Sequence, residues 1–264
     1  MKNFSELLMS MHWEKINKSL EFKIISLFSI LFFLGIWEVF SHIQPFTPIL
    51  VPPEEVIKTL IFELNRGELI NHILKSFLRI FIGFSLAAVI GIPLGLFMGW
   101  YPFVFQFFNG LINFLKSIPP IAWIPLAILW FGIGESSKIY IIAYSAFFPI
   151  VLNTIFGVRS IDKTLLKMAK SMGLKGYNLF KEIIFPASLP SIFTGVRIGI
   201  GTAWMALIAA EMIGATSGLG YMIEKSRQLL LIPKVMLGMI TIAFCGFLCD
   251  KVLEWLQKKI IPWF

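Results

Sequence analysis

Residues 80–115 read IFIGFSLAAVIGIPLGLFMGWYPFVFQFFNGLINFL and contain no charged side chain. An α-helix rises about 1.5 Å per residue and the hydrocarbon core of a bilayer is about 30 Å thick, so this stretch is too long for one crossing. The sequence GWYP at residues 99–102 combines helix-breaking residues with two aromatic side chains suited to a membrane interface. We therefore predict two membrane-spanning helices, near residues 72–98 and 103–131, joined at this turn.

The rest of the chain has the same apolar character. It is 57% hydrophobic and 14% charged, whereas a soluble domain carries about 25% charged residues. Further apolar blocks of membrane-crossing length lie at residues 24–43, 139–158, about 189–213 and about 233–253. We therefore predict an all-α membrane protein, a polytopic bundle of about six transmembrane helices, in which prolines 119, 120 and 125 interrupt the third span.

The chain divides into four parts on this prediction. Residues 1–23 form an N-terminal segment with amphipathic spacing, suited to a membrane surface. Residues 24–69 hold the first span, which is too long for a signal peptide, and a connector with a short helix from Glu54 to Leu64. Residues 70–254 form the core, with a charged loop at 159–187, and residues 255–264 form a tail. Cys245 and Cys249 lie in an apolar block, where packing is the expected role.

Lysine and arginine predict the orientation of the bundle, because cytoplasmic loops carry an excess of them. With the N-terminus inside, thirteen of these residues fall in inside segments and six in outside segments. We therefore expect a multi-pass membrane protein with both termini and the 159–187 loop in the cytoplasm. The net charge of +8 is explained by this distribution, and we expect no nucleic-acid partner.

The 159–187 loop carries signals for a helix, a tight turn and a second helix. Asp162 is suited to cap the first helix, whose apolar positions recur at helical spacing. Gly173 permits the left-handed turn that would end it. A second stretch, residues 177–184, is expected to stop before Pro186. A solvated basic connector is the alternative interpretation.

This loop resembles the "EAA" signature of the permeases of binding-protein-dependent ABC importers. The chain matches that signature at Ala169, Gly173, Ile183 and Pro186. It departs at Lys167 and Met168, where Glu and Ala are usual, and at Phe185, where Leu is usual. Residues 120–135 and 210–221 are in addition similar to the nitrate, sulfonate and taurine branch of the family. The resemblance covers roughly residues 50–255 and implies the type I importer permease fold.

The resemblance implies that this loop docks as a coupling element onto a separate ATP-binding subunit. The residues expected in that contact are Ala169, Lys170, Ser171, Gly173, Lys175, Ile183 and Pro186. No Gly-x-x-x-x-Gly-Lys-Ser/Thr phosphate loop occurs in the chain, so we expect ATP to bind to the partner and this chain to be a transport subunit without a cofactor or catalysis. The implied partners are a pair of ATPase subunits, an extracytoplasmic solute-binding protein and a second copy of the permease.

Charged residues within the spans are candidates for the pathway, since they are costly in lipid. Arg79 and Arg197 would attract an anion, and nitrate, sulfonates and taurine all carry a negative group. Trp204 and Glu211 complete the pathway candidates, and simple ion pairing or aromatic packing is the alternative for each. Of the acids, Glu38 and Glu211 are assigned to spans. The repeats of glycine at 91, 95 and 99 and at 195 and 199 favour close packing of helices within one subunit over a dimer seam.

Other functions remain open at this stage. Bicarbonate and a thiamine-precursor pyrimidine are alternative solutes, since the binding protein does much of the selecting. An ion-coupled secondary carrier is the alternative from another class, although such carriers place ionisable residues near the midplane of the bilayer. A membrane enzyme would need clustered histidines or acids inside the bundle, and the scattered histidines form no metal-ligand set.

Overall fold

A computed structural model of the chain describes residues 28–29, 31–43 and 50–262. These residues belong to two compact units, which divide between Phe62 and Glu63. All regular elements in the described ranges are helical, which confirms the all-α class. The helices are α1 (Leu31–Ser41), α2 (Pro53–Arg66), α3 (Glu68–Trp100), α4 (Pro102–Lys116), α5 (Ile124–Phe131), α6 (Glu135–Arg159), α7 (Lys163–Ser171), α8 (Gly176–Leu179), α9 (Phe185–Gly214), α10 (Leu219–Gln228) and α11 (Ile232–Ile260).

The first compact unit contains α1 and most of α2. The amphipathic segment 1–23 and part of the predicted first span, 24–43, lie outside the described residues. Within the unit, the indole N–H of Trp37 donates to the Val51 carbonyl at 3.0 Å. The predicted connector helix is present as α2, which begins at a proline, because proline at the first turn of a helix costs no hydrogen bond.

Four helices in the described part of the chain are long and apolar enough to cross a membrane. They are α3, α6, the continuous helix Gly176–Gly214 and α11. The turn predicted at residues 99–102 is present, since α3 ends at Trp100 and α4 begins at Pro102. The predicted third span is a bent pair, in which α4 and the segment Pro120–Phe131 meet at 86°. With that pair counted as one span the described residues hold up to five crossings, which fits the predicted bundle approximately.

Glycines bring α3 and α9 into close contact with α6, which lies between them. A Cβ atom built on Gly95 would lie 2.6 Å from the Cβ of Thr154, and one built on Gly99 would lie 2.6 Å from the Cβ of Val158. On the other side of α6, a Cβ on Gly195 would lie 2.7 Å from that of Asn153. Any side chain at these positions would force the helices apart. Both glycine repeats therefore pack inside one chain, as the sequence predicted.

The helix does not stop before Pro186, and this expectation from the sequence was wrong. Residues 180–184 form a π-helical turn that joins α8 to α9. Proline lacks the N–H that would continue an α-helical ladder. A wider turn before the proline lets the helix continue without that hydrogen bond. The second helix of the loop and the following span thus form one helix of 39 residues, Gly176–Gly214.

The C-terminal boundary also differs from the predicted one. The sequence separated a tail at residues 255–264, but α11 continues without interruption to Ile260. Polar pairs on the helix surface support this extension, since Glu254 accepts hydrogen bonds from Lys251 and Lys258 at 2.8 and 2.7 Å. Such pairs, three and four residues apart, stabilise a helix after its apolar pattern ends.

Candidate functional site

The loop between α6 and α9 is held by caps at both ends of α7. The carboxylate of Asp162 accepts a hydrogen bond from the Thr164 N–H at 2.7 Å, as an N-cap. At the other end Gly173 adopts φ = 88°, and the N–H groups of Gly173 and Leu174 donate to the carbonyls of Lys170 and Ala169. This pair of bonds is a Schellman motif, which needs a left-handed residue at its turn. The loop therefore has a defined shape.

One face of the loop packs on its own bundle. Ala169, Leu179 and Ile184 are buried in an apolar cluster with Leu96 of α3 and Val158 of α6. Three of the seven predicted coupling residues are not exposed: Ala169 is buried in this cluster, Ile183 packs against it, and Pro186 is half-buried. These side chains fix the loop to the ends of the spans, and we call this end of the bundle the loop end.

The other face of the loop is exposed. The predicted coupling residues Lys170, Ser171, Gly173 and Lys175 all lie on it. It also carries two methionines, Met168 and Met172, whose exposed fractions are 59% and 82%. Met172 continues the apolar spacing of α7 in the sequence, but it is exposed because the helix ends at Ser171. Exposed apolar side chains beside lysines are typical of a protein-binding surface.

Near the opposite end of the bundle, Arg79 and Glu211 meet in a polar cluster with Ser76, Ser217 and Glu135, whose side chain is 58% exposed. The Arg79 side chain is 1% exposed and that of Glu211 is fully buried, and their atoms Nη1 and Oε1 are 2.7 Å apart. Arg79 also donates to both carboxylate oxygens of Glu135, and to the carbonyl and hydroxyl of Ser217. All five N–H donors of the guanidinium are thereby used. Arg79 has no donor left for a solute in this arrangement.

The polar cluster also fixes the turn after α9. Glu211 accepts hydrogen bonds from the Ser76 hydroxyl and from the N–H of Gly220, at 2.8 Å each. The N–H of Gly218 donates to Nδ1 of His72 at 3.1 Å. Gly218 has φ = 112°, and a Cβ there would clash with the carboxylate of Glu211. The absence of a side chain at Gly218 therefore lets the Glu211 carboxylate pack directly against the turn after α9.

Helix α10 follows this turn and lies outside the four long apolar helices. Its exposed side carries a bidentate pair in which Arg227 donates to Glu224 at 2.9 and 2.6 Å. Hydrogen bonds from Arg227 and then from Gln228 lower the pKa of the Glu224 carboxyl to about 2. Both partners of this pair are charged at physiological pH.

Arg197 and Trp204 lie at a different place from the polar cluster. Arg197 makes a bidentate ion pair with Asp250 of α11, with both N–O distances 2.8 Å. This pair lies in a groove of about 810 Å³ between α9, α10 and α11. We call it the ion-pair groove, and the residues that matter here are Arg197, Gly201, Trp204, Met205, Gly246 and Asp250.

Trp204 closes the ion-pair groove on the side of α3. The indole is 5% exposed and its ring meets Phe77 edge-on, with centroids 5.5 Å apart. Its N–H makes no hydrogen bond among the described residues and lies beside the weakly accepting thiol of Cys249. The four pathway candidates thus separate into two pairs, Arg79 with Glu211 and Arg197 with Trp204.

Sequence reasoning missed three residues of these sites. Asp250 lies within the predicted sixth span, so the assignment of only Glu38 and Glu211 as acids in spans was wrong. Glu135 and Ser217 flank the spans, and nothing in their local sequence indicates that they meet Arg79. The signal for Asp250 was present, since an acid in an apolar block requires a cation nearby.

Several known proteins resemble this chain over most of its length. A family model described as the inner membrane component of binding-protein-dependent transport systems matches residues 91–264. A putative ABC transporter permease of Methanocaldococcus jannaschii is 41% identical, over 86% of this chain and 87% of its own length. The taurine transport system permease of Escherichia coli K12 is 35% identical, over 87% of this chain and 86% of its own. The nitrate import permease of Synechocystis is 35% identical, over 72% of this chain and 70% of its own.

A solved structure shares the fold. It is an inward-facing conformation of the MetNI methionine ABC transporter, to which the chain is 17% identical with a TM-score of 0.65. The match covers 73% of this chain and 95% of that one. Together with the family match over residues 91–264, this shows that the chain belongs to the family of inner membrane components of binding-protein-dependent transport systems, the permeases of ABC importers.

Proposed function

We propose that this chain forms the translocation pathway of an ATP-driven importer for a small anion of the nitrate, taurine or alkanesulfonate type. Support for the solute class comes from the relatives, whose names assign them to taurine, aliphatic sulfonates and nitrate. Bicarbonate and a thiamine-precursor pyrimidine are the alternative solutes. In this proposal the loop end of the bundle faces the cytoplasm, and a binding protein delivers the solute to the opposite end.

The observation that carries the proposal is the two-sided loop. Ala169 and Leu179 anchor one face to the spans, while Met168 and Met172 expose apolar surface on the other. A surface of this kind is stabilised when a partner covers it. We assign the partner as an ATP-binding subunit, and the exposed Lys170, Ser171, Gly173 and Lys175 as residues of the contact.

The 39-residue helix gives the loop a mechanical connection to the pathway. It begins at Gly176 in the loop and contains Arg197 and Trp204 further along. When ATP closes the partner subunits, the displacement of the loop would pass along this helix as a rigid-body movement. The spans would then alternate between openings to the two sides of the membrane.

A second copy of the chain completes the pathway in this proposal. The Arg197 and Asp250 side chains are 34% and 39% exposed in one chain, although both lie in long apolar helices. Charges at such positions face water or protein rather than lipid. A homodimer that opposes two ion-pair grooves across a water-filled space would meet this requirement.

The test is association with the ATP-binding subunit. Met172→Asp places a charge on the exposed face without entering the bundle, and Leu230→Asp is the matched control, because its side chain is 79% exposed at the end opposite to the loop. We expect wild type and the control to co-purify with the ATPase, and Met172→Asp to lose it. We also expect ATP hydrolysis by the wild-type complex in liposomes to rise when loaded binding protein is added.

Two results would oppose the proposal. If Met172→Asp retains the ATPase as well as Leu230→Asp does, the exposed loop face is not the contact. If wild type co-purifies with no ATPase and moves solute in an ion gradient alone, the protein acts as a secondary carrier.

A further inference from the structure

The Arg197–Asp250 ion pair lies deep within the long helices. Arg197 is in the middle third of α9 and Asp250 is about two thirds of the way along α11. The guanidinium uses Nε and Nη2 for the pair, and no hydrogen bond from Nη1 is found among the described residues. Unlike Arg79, which is saturated and enclosed, Arg197 keeps donors and an exposed side in the ion-pair groove.

Two glycines leave space beside the ion pair. Gly201 is one turn after Arg197 on α9, and a Cβ there would have no atom of the described residues within 4 Å. Gly246 is one turn before Asp250 on α11, and its Cβ would approach only Trp204, at 3.9 Å. The side chains of Trp204 and Met205 also line this space. The ion pair therefore forms one wall of an open, otherwise apolar cavity.

The geometry points to a binding subsite for the anionic group of the solute on Arg197, with Asp250 as an internal competitor for that guanidinium. We propose that a nitrate, sulfonate or carboxylate oxygen pair displaces Asp250 from Arg197, and that the space beside Gly201 holds the rest of the solute. This inference rests on the proposed function. It adds the residues that set the affinity for the solute and limit the size of the solute.

The chemistry of the pair supports exchange. A guanidinium presents parallel N–H groups to any group with two oxygens in a plane, and the carboxylate of Asp250 already occupies that geometry. A partly exposed ion pair contributes little to stability, so an incoming anion can compete with it. While the solute is bound, the displaced Asp250, whose side chain is 39% exposed, would be hydrated by water in the pathway. It would accept the guanidinium again when the solute leaves.

Binding of anions to the full-length chain in phosphatidylcholine nanodiscs tests this subsite directly. The probes are sodium nitrate, sodium methanesulfonate and taurine, titrated calorimetrically at constant ionic strength. Arg197→Gln should weaken binding by roughly tenfold or more, since a charged hydrogen-bond donor is lost. Asp250→Asn should tighten binding by about two- to fivefold, because the competitor is removed.

A second pair of variants tests the size limit without touching the charges. Gly201→Leu fills the space beside the ion pair, and Gly110→Leu is the matched control, because a Cβ at either glycine meets no described atom within 4 Å. We expect Gly201→Leu to weaken taurine binding by roughly tenfold or more, the scale on which a pocket rejects excess volume. The affinity of this variant for nitrate, which has no tail, should fall less. Gly110→Leu should bind both probes as wild type does.

The outcomes separate this inference from the proposed function. If wild type binds none of the probes, or if Arg197→Gln and Asp250→Asn bind them as wild type does, the subsite is refuted. Equal weakening of nitrate and taurine by Gly201→Leu refutes the size limit. Uptake of the same probes by wild-type complexes in liposomes tests the proposed function on its own. If complexes with Arg197→Gln or Asp250→Asn take up the probes as wild type does, the chain still acts as an importer but the subsite is refuted.

Discussion

Replacing Arg79 by glutamine removes the cation that neutralises two carboxylates in the polar cluster. Glu211 is fully buried, so without its ion-pair partner it would keep its charge at a cost or would take up a proton. Its hydrogen bonds from Ser76 and Gly220 would remain. The perturbation is therefore local, and its cost depends on the burial of the carboxylate.

The size of the effect follows from a comparison with the other intramembrane arginine. Removing one partner of a buried ion pair costs about 3–5 kcal/mol, and we expect the lower end for Arg79→Gln, about 3 kcal/mol, because Ser76 and Gly220 still donate to Glu211. Arg197→Gln breaks a pair that is 34% and 39% exposed, which is worth about 1 kcal/mol or less. The difference of about 2 kcal/mol corresponds to roughly 4–8 °C in Tm for a domain of this size.

The assay is thermal unfolding in one detergent at a fixed heating rate, followed by near-ultraviolet circular dichroism. We expect Arg79→Gln to melt clearly below Arg197→Gln. The double variant Arg79→Gln with Glu211→Gln should recover part of the loss, because no unpaired charge stays buried. Equal melting of the two single variants, or a double variant that melts below Arg79→Gln, would refute the reasoning.

Two further predictions concern the packing of the spans and the shape of the loop. Gly95→Ala should destabilise the bundle by about 1–3 kcal/mol, because its Cβ would lie 2.6 Å from that of Thr154. Gly110→Ala, with open space around it, should instead stabilise its helix by about 0.5–1 kcal/mol. The melting temperatures of the two variants in detergent should shift in opposite directions, and shifts in the same direction would contradict the packing. Asp162→Ala should remove the cap on the Thr164 N–H, which is worth about 1 kcal/mol. Hydrogen exchange in the first turn of α7 should become faster, while the melting temperature of the bundle should not fall. An unchanged exchange rate would show that the cap does not hold the loop.

The spans could be predicted from the sequence because each depends on a local property. The apolar blocks, the break at residues 99–102 and the glycine contacts all follow from hydropathy and side-chain size read along one segment. The continuity of the helix across Pro186 could not be predicted in this way. A π-helical turn has no sequence pattern of its own, and the signal of the proline alone favoured a stop.

The loop was the part of the site that local sequence predicted best. Asp162 and Gly173 are caps, and capping depends on residues within one turn. The pairing of Arg79 with Glu211 depends instead on residues 132 positions apart in the chain. Arg197 and Asp250 are 53 positions apart. Hydropathy shows that such charges need partners, but only the packing of α3, α9 and α11 selects them.

The π-helical turn at residues 180–184 also determines an angle. Successive residues of an α-helix are turned by about 100° around its axis, and a π turn accommodates one residue more than an α turn would hold. Gly176 and Arg197 lie on either side of this turn in the same helix. Because the wider turn takes up the extra residue, the helix on either side of it keeps the phase of an unbroken α-helix. Deleting one residue within the turn should therefore convert it to an α turn and leave Arg197 facing Asp250. Deleting one residue from the regular helix between Pro186 and Arg197 should instead rotate the guanidinium by about a quarter of a circle away from Asp250.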